Sequence, residues 1–282
     1  MVMKYTILSV ALLLCTMAMA QNSVPSPKDY DRFSESRTLV VLDDNVMSDY
    51  NLTIKKAMEQ EWKLTKYDFI TTKEFETRRK DPSFSFLLTT TVTYEKDKTR
   101  ARYTYLSLLM GKEKGKVTDM PDLISIPLDY ASDENQDYTY KINSFLRFIQ
   151  NHVEMIKANP KLISKTPLVY YNKNIKSLKG KTIYFLAEEL DKDIKTEADI
   201  AKVYPGAVKL ATREEITKAI NERAKDVVFL HKVGPDKAKF NTRCFKILLG
   251  ADDSQMYYFD YHNIDKKTPD RLLRKDLKKM AD

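Results

Sequence analysis

The side chains in this sequence best suited to catalysis are three histidines, one cysteine beyond the first twenty residues, and two acid pairs. His152 sits beside Val153 in a helical apolar pattern, where packing or solvation accounts for it. His231 ends the apolar run 227–230, next to Lys232; open α/β sheets bind ligands at strand ends, which makes it a candidate general base. His262 follows Tyr257, Tyr258 and Tyr261 and is a second candidate base, or simply the outer face of a closing strand. Each histidine would need a carboxylate within hydrogen-bond reach to do acid–base work. Cys244 lies between Arg243 and Phe245 with no base at a telling spacing, so it reads as a buried, inert thiol.

Asp43-Asp44 and Glu188-Glu189 each follow an apolar strand-like run. Converging carboxylates could serve acid–base or metal chemistry. The simpler reading is that acids ahead of a helix cap its amides and complement its dipole. No His-x-x-x-His pair or His/Cys cluster occurs, so no metal site is expected. The chain has only six glycines, at 111, 115, 180, 206, 234 and 250. They form no phosphate-cradling loop, which excludes the P-loop and the dinucleotide fingerprint, and no cofactor is expected. No Gly-x-Ser-x-Gly elbow or Ser-x-x-Lys pair marks a serine nucleophile.

Two features suit binding better than catalysis. The aromatic run 256–261 offers Tyr257, Tyr258 and Tyr261 as a contact surface. The C-terminus places Lys275, Lys278 and Lys279 among seven bases and two acids between residues 266 and 279, as a basic amphipathic helix would. A solvated outer face of a packed helix is the alternative reading.

The elements that must position these groups recur. An apolar β-branched run at 38–42 precedes acids, a helix over about 49–62, a strand at 67–70 and a helix containing Phe75. Runs at 84–94 and 101–110 then read as a hairpin turning at 95–98, with a closing strand at 123–128. The same order returns later: 182–186 aligns with 38–42 at an offset of 144, and Thr212, Glu215 and Ile216 align with Thr71, Glu74 and Phe75 at 141. Ile142, Phe145, Leu146, Ile149, Val153 and Ile156 mark a long amphipathic helix over 138–158 that joins the copies. Leu272, Leu273, Leu277 and Met280 form the apolar face of a shorter C-terminal equivalent.

The expected fold is therefore α/β, with a mixed sheet: two tandem β-α-β-α-β-β(-β) units, each with its two helices on one sheet face. The expected boundaries are a signal peptide at 1–20, a flexible leader at 21–36, a first module at 37–135, a linking helix and linker at 136–180, and a second module with a basic C-terminal helix at 181–282. The signal rests on Lys4, an apolar stretch from Ile7 to Leu14 and Ala18-Met19-Ala20, with cleavage after Ala20. That stretch is too short to span a bilayer. Removing Lys4 with the leader lowers the net charge from +8 to +7, a mild excess spread over the chain. The one remaining cysteine, Cys244, allows no internal disulfide, so stability must come from packed core.

A strand–helix–strand–helix–hairpin unit behind a signal peptide resembles small α/β modules of envelope-assembly proteins, such as the N-terminal module of the Tol-system propeller protein. It is also similar to curli-secretion-type lipoproteins, and the signal looks like those of exported Bacteroidetes proteins. The resemblance is to the plan of the chain and transfers no residue roles. Together these features point to a non-enzymatic protein of the envelope or extracellular space whose twin modules bind another protein or an anionic envelope component. Nucleic acid and a transmembrane segment in the mature chain are not expected. The alternative is a hydrolase or small-ligand-binding protein with its site in the cleft between modules, using His231 or His262.

Overall fold

The computed structural model describes residues 23–94, 99–131, 138–235 and 240–281. The expected signal peptide, the turn at 95–98 and Asp133-Glu134, an acid pair that reads as a turn in sequence, lie outside the described residues. Two five-stranded mixed sheets form, and the second repeats the topology of the first. In the first half, α1 (Pro27–Glu35) leads into β1 (Arg37–Val41), α2 (Asp49–Glu61), β2 (Tyr67–Ile70), α3 (Thr72–Arg78), β3 (Phe84–Thr93), β4 (Arg102–Met110) and β5 (Asp122–Tyr130). Helix α4 (Ile142–Ala158) and a 3-10 segment, Pro167–Leu178, follow. The second half runs β6 (Thr182–Phe185), α5 (Glu197–Ala201), β7 (Ala207–Leu210), α6 (Arg213–Asn221), β8 (Val227–Val233), β9 (Arg243–Gly250), β10 (Met256–Asn263) and α7 (Arg274–Ala281).

The strand orders are β2-β1-β3-β4-β5 and β7-β6-β8-β9-β10, so the duplication holds strand for strand. In each half the first three strands are parallel and the last two antiparallel. Local chemistry repeats too. Thr71 and Thr212 each accept from the amide three residues on, and Glu74 and Glu215 reach back to close a capping box.

The helices do not share one face, contrary to the sequence expectation. Strand order 2-1-3 sends the two crossovers in opposite directions, and the right-handed rule then places their helices on opposite faces. Ile54 and Met58 of α2 pack with Val40 and Leu87, whereas Phe75 of α3 packs with Leu39 and Phe86. The second half obeys the same rule, with Ile200 of α5 beside Ile183 and Phe185, and Ile216 of α6 beside Phe229.

The offset of 144 is off by one residue in parity. Val40 faces α2, but its partner at that offset, Tyr184, faces α6 rather than α5. Backbone bonding agrees: the Thr38 amide donates to Lys66 on the β2 side, and the Thr182 amide to Asp226 on the β8 side. A central strand buried on both faces reads as a continuous apolar run, so alternation cannot reveal which residue faces which helix.

Helix α4 welds the halves. It follows β5 and lies on the α2 face, as α7 follows β10 and lies on the α5 face. Its opposite side meets α6 and the second sheet. One apolar cluster therefore runs from Val40 and Ile126 in the first sheet through Phe145 and Ile149 to Phe229 and Ile247 in the second.

Residues 21–36 also depart from expectation. From Ser23 onward they are ordered structure, and α1 buries Tyr30 and Phe33 against α4. Tyr30 donates to the Leu123 carbonyl at 2.9 Å. Two apolar residues three apart are too few to show a period, which is why the segment reads as a leader in sequence. The β10 edge is covered in its turn: the Asn172 side chain both donates to the Phe259 carbonyl and accepts from its amide, as a neighbouring strand would.

Candidate functional site

The two candidate catalytic histidines come to lie in quite different settings, and neither bonds a carboxylate. His262 accepts from the Lys246 ammonium at Nδ1 (2.9 Å), so its Nε2–H donates to the Pro269 carbonyl, also at 2.9 Å. Both nitrogens are committed. His231 lies near the carboxyl end of β8 but is buried, and its Nε2 meets the Pro127 carbonyl at 3.0 Å. A carbonyl only accepts, so the proton is on Nε2 and Nδ1 is an acceptor. Burial, then the nearby lysines, pushes both imidazoles below their ordinary value and keeps them neutral. A histidine–acid pair of the hydrolytic type does not form at either place. His152 is buried in α4, where its Nδ1 accepts from the Tyr171 hydroxyl at 2.8 Å.

The tyrosine candidates divide. Tyr257 and Tyr258 are core residues, which removes them from any contact surface, whereas Tyr261 is 45% exposed. Their hydroxyls end on Asp253 and on Asp260 and Asp276, and both rings pack in one apolar cluster with Ile183 and Leu277, where the register of β10 shifts between Met256 and Tyr258. Of the basic candidates, Lys275, Lys278 and Lys279 are all exposed on α7. Lys279 bonds Asp260 at 2.5 Å. Below them Asp276 and Lys246 form a fully buried pair at 2.9 Å that pins α7 to the sheet. Cys244 is buried, as expected, and burial pushes its thiol well up.

Tyr261 belongs to a groove of about 420 Å³ at the seam between the sheets. Its floor is made of Tyr94 and Tyr105 from the first half and Phe245, Phe259 and Tyr261 from the second. The Arg243 guanidinium lies 3.6 Å from the Tyr94 ring centre and 4.9 Å from that of Tyr261. Tyr103 locks the seam beneath, with its ring edge-on to Phe245 at 5.2 Å and its hydroxyl accepting from the Arg243 amide at 2.6 Å. Ser23 to Pro25 and residues 164–169 form the walls. Val24 and Val169, both exposed, line the groove with Tyr261.

A second depression lies where strand order 7-6-8 makes a switch point, at the carboxyl ends of β6 and β8. It is a cavity of about 170 Å³ lined by Glu188, Glu189, His231 and Lys232 of the second half, together with Asp129 and Lys141. Burial raises the Glu189 carboxyl above its ordinary value, and Lys141 and Lys232 partly offset this. The corresponding crevice of the first half, bounded by Asp43, Thr89 and Thr91, shares Asp129 and Tyr138 with it. Contrary to the capping reading, Asp43 and Asp44 do not cap α2, whose free amide at Asn51 bonds Ser48: Asp43 accepts from the Asn45 amide in the preceding turn and Asp44 from the Thr72 hydroxyl. Glu189 also departs from that reading by facing inward.

Sequence reasoning missed Lys141 and the aromatic partners Tyr94, Tyr105 and Phe245. A lysine at a helix start reads as solvated, and aromatics distant in sequence show no sign of meeting. Among the described residues no group of three or more His, Cys, Asp or Glu side chains is placed to hold a metal ion. No described helix is long and apolar enough to cross a membrane. No protein family, no curated protein and no solved structure matches this chain.

Proposed function

We propose that this chain is exported and acts as a non-enzymatic binding protein of the cell envelope or extracellular space, holding a segment of a partner protein in the aromatic groove between its modules. The observation that carries the reading is the gathering of exposed apolar groups there: Val24, Val169 and Tyr261 converge on one groove floored by tyrosine and phenylalanine. Scattered exposed apolar residues need no explanation, but a contiguous patch in a concave seam does. Tyrosine and arginine are also the residues that carry most binding energy at protein interfaces. Hydroxyls of Thr91, Thr93, Ser164 and Thr166 on the rim can bond a peptide backbone. Export is supported by the signal-like pattern of residues 1–20.

The test is photo-crosslinking in the producing cells, with the reactive residue placed at position 261 or at Met47, which is 72% exposed and outside the groove. A discrete adduct from 261 that is absent from 47, and lost on Val169→Asp, supports the reading. The same adducts from both positions, or none from 261, would remove it.

A further inference from the structure

The cavity at the carboxyl ends of β6 and β8 brings together a buried ammonium, Lys141, and a buried carboxyl, Glu189, with no hydrogen bond between them. Lys141 is only 3% exposed, and its ammonium bonds the Leu230 carbonyl at 3.1 Å, which uses one of three donors. Among the described residues no carboxylate forms an ion pair with it. Buried ammonium groups are ordinarily paired, because desolvation without a partner is costly. On the same cavity Glu189 is 9% exposed, and its Oε2 has no hydrogen-bond partner. Lys232, by contrast, is matched by Asp270 at 2.6 Å. A buried cation and a buried acid thus line one small space without bonding each other, each with unused capacity.

We propose that this cavity binds a free α-amino acid, with the ligand carboxylate on Lys141 and the ligand ammonium on Glu189. An α-amino acid supplies the two missing partners on adjacent atoms, and a volume of about 170 Å³ suits a small one. His231 also lines the cavity, with its Nε2–H committed to the Pro127 carbonyl. The site is independent of the aromatic groove, so either can fail alone.

The experiment is thermal unfolding and titration calorimetry on the full chain, with glycine, alanine, serine and glutamate as probes. Propionate and propylamine each carry one of the two groups and serve as controls. Amino acids are expected to raise the melting temperature at saturating concentration, and the single-group controls to have little effect. Lys141→Met and Glu189→Gln are each expected to weaken binding roughly tenfold or more, the loss of one charge-assisted bond. Lys141→Met keeps an unbranched side chain of similar length and removes the buried charge, so its fold is expected to persist, and circular dichroism checks that. Glu189→Gln supplies a second, near-isosteric variant. Equal stabilisation by propionate would show a simple anion site and overturn the proposal. So would no effect from any amino acid, or binding unchanged in both variants.

Discussion

Replacing Asp276 by Asn removes one charge from a pair with no exposure on either side. The carboxylate accepts from Lys246 at 2.9 Å, from the Leu273 amide at 2.9 Å and from the Tyr258 hydroxyl at 3.3 Å. Asparagine keeps the shape but leaves the Lys246 ammonium buried without its counter-charge, and breaking a buried pair in this way costs about 3–5 kcal/mol. For a chain of this size that is a fall in melting temperature of roughly 10 °C. Lys246→Met is expected to cost a similar amount, because it strands the carboxylate and removes the donor to His262. The double variant Lys246→Met, Asp276→Asn leaves no charge at this position, so it is expected to be more stable than Asp276→Asn alone. Chemical denaturation of the four proteins closes the cycle. If the double variant costs the sum of the singles, the pair is not coupled and the reasoning about α7 is wrong.

Two further outcomes follow from the same kind of argument. Burial pulls His152 down from 6.5 to about 4, so the folded ring stays neutral where the unfolded one takes a proton. Its contribution is therefore whole above pH 6.5 and is lost as pH falls towards 4, about 3 kcal/mol in all, with His231 and His262 acting in the same direction. Denaturation midpoints at neutral pH and near pH 5 check this, and unchanged stability would contradict it. Thr71→Ala and Thr212→Ala each remove the cap of an equivalent helix, and each is expected to cost about 1 kcal/mol by the same assay. Widely different costs would argue against equivalent roles in the two halves.

The duplication was legible because its signals are local: strand composition, helix caps and the spacing of α4 each follow from a few neighbouring residues. Thr71 with Glu74, and Thr212 with Glu215, mark the same turn in both copies. The parity of β1 against β6 was not legible, since Leu39, Val40 and Val41 are all buried and present no alternation. Helix α1 was hidden for the opposite reason, with only Tyr30 and Phe33 to show its inner face. The groove and the cavity depend on contacts between residues far apart, such as Tyr94 with Arg243 and Lys141 with Leu230. Charge type alone places a lysine at the surface, and only tertiary packing shows that Lys141 is inside.

Both proposed sites need the two halves to be held rigidly together by α4, and each half carries its own intrinsic reporter of that. Trp62, the single tryptophan, lies in the first half, and the buried thiol of Cys244 lies in the second. In a chain without residues 1–20, equilibrium unfolding followed by tryptophan fluorescence and by thiol labelling is expected to give one coincident transition, because the core around Phe145 and Ile149 is common to both sheets. Two separated midpoints would contradict the shared core and leave the seam without a rigid frame.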